Sequence, residues 1–144
     1  MSRVIVLSGV SGVGKTHLRT TDAELSQYPH VDIADVYRAW PEADWWMATQ
    51  ELCRRVRKIL RQKSPTVVVE GYFLAGSPSR RMLTEDAKVG GYTLEFRDLE
   101  APLETCLERI EGQYERGEIG KAEYALRTRM LSRVWQRLAE ANAY

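Results

Sequence analysis

Residues 3 to 17 read RVIVLSGVSGVGKTH, and the architecture of the chain can be worked out from them. Residues 3 to 8 are β-branched and aliphatic without alternation, as expected of a strand covered on both faces in a parallel sheet. Gly9, four further residues, Gly14, Lys15 and Thr16 then match G-x-x-x-x-G-K-[ST] in full. Glycines let backbone N–H groups converge on phosphate oxygens with no Cβ in the way, and the helix that starts here aims its positive end at the same place. Lys15 can bridge the β- and γ-phosphates of a nucleotide, and the Thr16 hydroxyl can ligate Mg²⁺. The expected nucleotide-contacting residues are Gly9, Ser11, Gly12, Val13, Gly14, Lys15, Thr16 and His17.

Outward from the loop, helical spacing over Lys15 to Gln27 completes a first strand, loop and helix. HVDIAD, residues 30 to 35, is a predicted second strand that ends in carboxylates. A long helix is predicted from Pro41 to Lys63, with Leu52, Val56, Ile59 and Leu60 on one face. TVVVEG, residues 66 to 71, reads as a third strand. A helix capped by Ser77 or Ser79 and a strand over residues 92 to 98 follow. Helices over residues 101 to 117 and from Lys121 to Asn142 close the chain, the latter carrying Trp135 in an apolar series. This alternation predicts an α/β fold of the P-loop NTPase kind, a parallel sheet of about four strands with helices on both faces. Ligands of such sheets bind outside the carboxyl ends of the strands, where Gly9, Asp35 and Glu70 fall.

The whole composition bounds the reading. The 144 residues suit a single domain spanning 1 to 144, and 44% apolar with 28% charged residues is ordinary globular usage. With 21 basic and 20 acidic residues, bulk charge names no partner. Cys53 and Cys106 stand in no metal-like spacing and read as reduced thiols. The apolar run after Arg3 is too short for a secretion signal, and no stretch approaches the roughly 18 apolar residues of a membrane span. The expectation is a cytoplasmic protein with no membrane partner.

Three fates of a bound nucleotide need different residues. A GTPase switch would need a guanine-reading N-K-x-D, which is absent from the chain. A motor-type ATPase normally needs a larger chain with an oligomerisation module. A phosphotransferase needs a carboxylate near an acceptor hydroxyl, groups that hold the acceptor, and arginines that neutralise the transferring phosphoryl group. VDIADVYR, residues 31 to 38, supplies Asp32 and Asp35, and a strand stopping near Ala34 would leave Asp35 at its mouth to take a proton. Arg38, one helical turn later, can grip a phosphate on the acceptor.

GVSGVGKT followed by DVYR resembles the kinase domain of phage-type polynucleotide kinases, including phage DNA-modifying kinases such as the hydroxymethyluracil DNA kinases. The resemblance implies ATP and Mg²⁺ as cofactors, Asp35 as general base and Arg38 as the contact to an acceptor phosphate. It also implies a helical lid at roughly 109 to 127 whose arginines reach the ATP phosphates, for which Arg109, Arg116 and Arg127 are the candidates. Where those kinases often carry serine, aspartate and threonine after the third strand, this chain has EGYF, residues 70 to 73. Glu70 can enter the Mg²⁺ shell, orient Lys15 or an acceptor, or bond to loop amides.

Nucleic acid, specifically DNA, is the expected acceptor, through a 5′-hydroxyl end or a hydroxymethyl group on a modified base. Arg54, Arg57, Lys58 and Arg61 form a basic stripe opposite the apolar face of the long helix, either a track for a phosphodiester chain or an ordinary solvated face. Trp46 and Tyr72 are the better candidates among the aromatics to stack on a base, with packing in a core the ordinary role of such rings. Arg80 and Arg81 can clamp a phosphate or face solvent. A small-molecule kinase of the gluconate, antibiotic or nucleotide type shares the same loop, acid and lid. A nucleotide-binding module without turnover shares the loop alone, and no adenine-reading motif separates ATP from GTP as donor.

Overall fold

A computed structural model describes residues 2 to 10, 12 to 62 and 64 to 142, with side chains described as far as Ser132. Ser11 and the Trp135 side chain lie outside the described residues. The sheet is parallel throughout, in the order β2-β3-β1-β4, formed by β1 (Arg3–Ser8), β2 (His30–Asp32), β3 (Thr66–Gly71) and β4 (Thr93–Asp98). The helices are α1 (Lys15–Thr21), α2 (Ile33–Ala39), α3 (Trp45–Gln62), α4 (Pro78–Gly90), α5 (Leu103–Glu115) and α6 (Lys121–Asn142).

The chain divides into two compact units. One comprises Met1–Gly9 with Lys15–Asp98, and the other Val10–Gly14 with Leu99–Tyr144. In the first, Val4 and Val6 of β1 lie beside Val67 and Val69 of β3 and pack against Leu52, Cys53 and Val56 of α3 and Leu83 and Ala87 of α4. Alternation along the strands sends Ile5, Leu7 and Val68 to the opposite face, where they are also buried. Both faces of β1 and β3 are therefore apolar, the physical reason for their unbroken aliphatic runs. The second unit has its own core of Val13, Cys106, Ile110 and Leu131, with the Tyr114 and Tyr124 rings stacked at 4.7 Å between α5 and α6.

Several predicted boundaries move, each for a local reason. The first helix ends at Thr21 rather than Gln27, because Asp22 Oδ1 accepts from the backbone N–H groups of Glu24 and Leu25 and turns the chain into a single 3-10 turn. The second strand ends at Asp32, whose carboxylate caps α2 by accepting from Ala34 N at 2.9 Å. Asp35 therefore sits in the first turn of a helix rather than at a strand mouth. The long helix starts at Trp45, with Asp44 Oδ1 accepting from Met47 N, so Pro41 and Glu42 lie before it. Ser77 is the cap of α4. Both cysteines are free and buried, and burial pushes the Cys53 thiol up to about 12, which leaves it protonated and unreactive near neutrality.

Candidate phosphate-transfer site

The ladder between β1 and β3 continues one step past the strands, Gly9 N donating to Gly71 O at 3.0 Å. Phe73 N donates to the buried Ser8 hydroxyl at 2.8 Å, which ties the segment after β3 to the end of β1. The phosphate loop thus leaves the sheet from a fixed post. Lys15 Nζ donates to the Gly9 carbonyl, so the lysine folds back over the start of the loop.

Register puts Glu70 beside Leu7 and Asp32, on the sheet face that α1 covers. Its side chain is wholly buried. Glu70 Oε1 accepts from Thr16 Oγ1 at 2.7 Å and Oε2 from Arg19 Nε at 2.5 Å. Beyond the roles expected from the sequence, this geometry lets Glu70 fix the Thr16 hydroxyl from behind while Arg19 neutralises the acid. Arg19 is not among the residues that the sequence pattern singles out, although it stands three residues after Thr16 on the same helix face, a spacing that brings two side chains to one partner.

Asp32 is partly buried at the end of β2. Burial raises its pKa first, and the charges of Glu70 and Asp35 raise it further, whereas the Ala34 N–H and Lys15 act the other way. One carboxyl group therefore feels the loop lysine, the β3 acid and Asp35 together. Asp35 is more than half exposed and pairs with Arg38, three residues on, at 2.8 Å.

Within the second unit, Gly12 has φ of +82° and Gly14 of +108°, backbone that side-chain-bearing residues rarely adopt. A Cβ on Gly12 would lie 2.5 Å from the Cys106 carbonyl oxygen. Arg109 Nη1 donates to the carbonyls of Gly12 at 3.0 Å and Val13 at 2.8 Å, which brings α5 onto the loop. Of the other two lid candidates, Arg116 pairs with Glu118, and Arg127 binds Glu123 and Gln113. His17 is exposed and contributes its carbonyl to Thr20 and Thr21.

Further candidates divide between support and surface. Arg80 is a strut: it donates to Phe73 O, pairs with Asp98 and stacks on the Phe96 ring. Arg57 turns to Asp86, which also accepts from the Tyr92 hydroxyl. Trp46 is about half exposed at the start of α3, and Tyr72 is half-buried. Among the described residues no group of three or more His, Cys, Asp or Glu could hold a metal ion, and no helix is long and apolar enough to cross a membrane.

The donor set nonetheless fits a nucleotide triphosphate. Two positive-φ glycines, a lysine and a hydroxyl on the first turn of a helix are concentrated in six residues, Gly12 to His17, and polyphosphate is recognised by such a cluster. No protein-family profile and no curated protein sequence matches the chain. Solved structures do. A protein of Chloroflexus aurantiacus designated a kinase superposes with a TM-score of 0.61 at 19% identity, over 87% of this chain and 74% of that one. A chain of the Pnkp1/Rnl/Hen1 RNA repair complex gives 0.63 at 14% identity over 94% of this chain, which spans only 46% of that chain's length. A gluconokinase from Sinorhizobium meliloti gives 0.56 at 21% identity, over 89% and 73%. The parallel four-stranded α/β sheet, the phosphate loop after its first strand and these neighbours together show that the chain has the P-loop kinase fold.

Proposed function

We propose that the protein, acting as one cytoplasmic kinase domain over residues 1 to 144, transfers the γ-phosphoryl group of ATP to a hydroxyl on nucleic acid, in the manner of the phage-type polynucleotide kinases. The acceptor is a 5′-hydroxyl end or the hydroxymethyl group of a modified base in DNA. The observation that carries the reading is geometric: strand register sets Asp32 beside Glu70, and Glu70 accepts from the hydroxyl of Thr16, the residue after the loop lysine. It supports a site at the carboxyl ends of β2 and β3 in which acids stand next to the phosphate loop.

The roles follow from the chemistry of each group. Asp35 is open to solvent and can take the proton that the acceptor hydroxyl loses as its oxygen bonds to the γ-phosphorus and ADP leaves. Arg38, beside it, holds an acceptor phosphate. The amides of Gly9 to His17 and the Lys15 ammonium hold the triphosphate. Thr16, steadied by Glu70, is the residue to hold Mg²⁺, which supplies neutralisation of phosphate charge when bound. Arg109 is the favoured lid arginine because its guanidinium already rests on loop carbonyls, ahead of Arg116 and Arg127. The likeness to an RNA repair chain supports nucleic acid as acceptor, and the likeness to a gluconokinase supports a compact polyol as the second reading.

The test is γ-labelled ATP offered with single-stranded, duplex and modified-base DNA beside small metabolites. Label is expected in DNA, and Asp35→Asn is expected to lower transfer by about 10² to 10⁴ while ATP still binds. Label confined to metabolites ends the nucleic-acid assignment. Transfer unaffected by Asp35→Asn removes Asp35 as the base.

A further inference from the structure

The basic stripe of α3 does not act as one unit. Arg57 is drawn to Asp86, and Arg54 and Arg55 share the single carboxylate of Glu51, which they hold down to about 2. Lys58 and Arg61 are exposed and have no carboxylate partner among the described residues. Among the described residues Arg54, Arg55, Lys58 and Arg61 thus have one ion-pair carboxylate, Glu51, between them.

Arg54, Arg55, Lys58 and Arg61 border two adjoining open concavities at the β2 edge of the sheet. The first, of about 380 Å³, is lined by Asp32, Asp35 and His30 and, from α3, by Arg54, Arg55 and Lys58. The second, of about 350 Å³, shares Arg54 and Lys58 and extends to Arg61. Charge along the groove is therefore polarised. The acids line only the first concavity, beside the proposed base, and cations line both.

We infer that this groove is a phosphodiester track: it holds the nucleic-acid strand that trails from the acceptor hydroxyl, with Arg54, Lys58 and Arg61 on successive phosphates. The inference rests on the nucleic-acid reading above and extends it to residues that reading does not use. A molecule with a hydroxyl at one end and anions repeating away from it matches the polarity. Extent selects a polymer over a compact anion. Arg54 and Arg61 are seven residues apart, about 10 Å along the helix, comparable with three strand steps at the duplex rise of about 3.4 Å per step. A small phosphorylated or carboxylated alcohol seated at Asp35 would leave the far cations unused.

The test measures binding of fluorescently labelled single-stranded DNA, 2 and 12 nucleotides long with free 5′-hydroxyls, to the full chain across a salt series. Lys58→Ala/Arg61→Ala is expected to weaken the 12-mer about tenfold and to flatten the plot of log affinity against log salt by about 1.4, two contacts at about 0.7 each. The dinucleotide, whose single phosphodiester cannot reach Lys58 or Arg61 from Asp35, is expected to lose much less. Glu51→Gln, which frees two arginines, is expected to tighten the 12-mer. A double variant that binds the 12-mer with unchanged affinity and slope overturns the track and leaves the nucleic-acid reading standing. A wild-type protein that binds neither oligonucleotide yet phosphorylates small alcohols overturns both.

Discussion

The carboxyl ends of β3 and β2 carry acids in opposite physical states. Glu70 at the end of β3 is wholly buried, and both its oxygens are engaged, by Thr16 and by Arg19. Asp35, just past the end of β2, is 56% exposed and is held by a neighbour on its own helix. A buried, saturated carboxylate loses much if it moves, so it serves as a post against which the phosphate-side hydroxyl is set. An exposed carboxylate in a surface pair can exchange its partner at little cost, as the general base proposed at Asp35 would have to. One acid is fixed in place and the other is free to change partners.

The sharpest way to break that contrast is to remove one acid from each end and measure stability by urea denaturation. Glu70→Ala leaves the Arg19 guanidinium without its buried partner and is expected to cost about 3 to 5 kcal/mol. Asp35→Asn is expected to change stability by less than about 0.5 kcal/mol, whatever it does to transfer. Equal losses at the two ends would erase the distinction. Gly12→Ala comes next: a positive φ and a Cβ against the Cys106 carbonyl are expected to cost about 1 to 3 kcal/mol, read as a lower thermal midpoint with weaker ATP binding. An unchanged midpoint would mean that the loop and α5 shift apart easily.

The smallest effect sharpens the boundary between the two ends, at Asp32. Its pKa is raised in the folded chain, chiefly by burial, so its ionisation opposes folding. The favourable contribution is present in full below the unfolded aspartate value of about 3.9 and is lost as pH rises through the folded value. An amide in place of this carboxyl group would keep an oxygen for the Ala34 N–H without carrying charge. Asp32→Asn is therefore expected to gain stability relative to wild type as pH is raised from about 3 towards 7, followed by thermal unfolding across the series. A constant difference would show that Asp32 is better solvated than its position implies.

Much of this was legible from residues alone because it rests on local rules. The unbroken aliphatic runs of β1 and β3 announce strands buried on both faces, and the spacing of Gly9, Gly14, Lys15 and Thr16 announces the loop between strand and helix. The apolar face of α3 was equally visible, and Ser77 was one of two caps offered for α4. What escaped were competitions between side chain and backbone. Asp22 and Asp32 each accept backbone N–H groups, which ends one helix early and starts another. Propensity over HVDIAD favours strand, but the Asp32 cap decides for a helix, and Asp35 turns out of the sheet with it.

The amino-acid order by itself determined the phosphate loop, the alternation of strands and helices, and the presence of two acids and a basic stripe, because each depends on neighbours a few residues apart. Which acid is buried, which cation has a partner and which arginine meets the loop depended on segments brought together from about 50 to 100 positions away. Glu70 meets Thr16 and Arg19 across the sheet, and Arg109 meets Gly12 and Val13 through α5. Charge is set by residue identity, but its solvation and pairing exist only once the chain has closed on itself, and those two quantities separate a structural ion from one free to do chemistry.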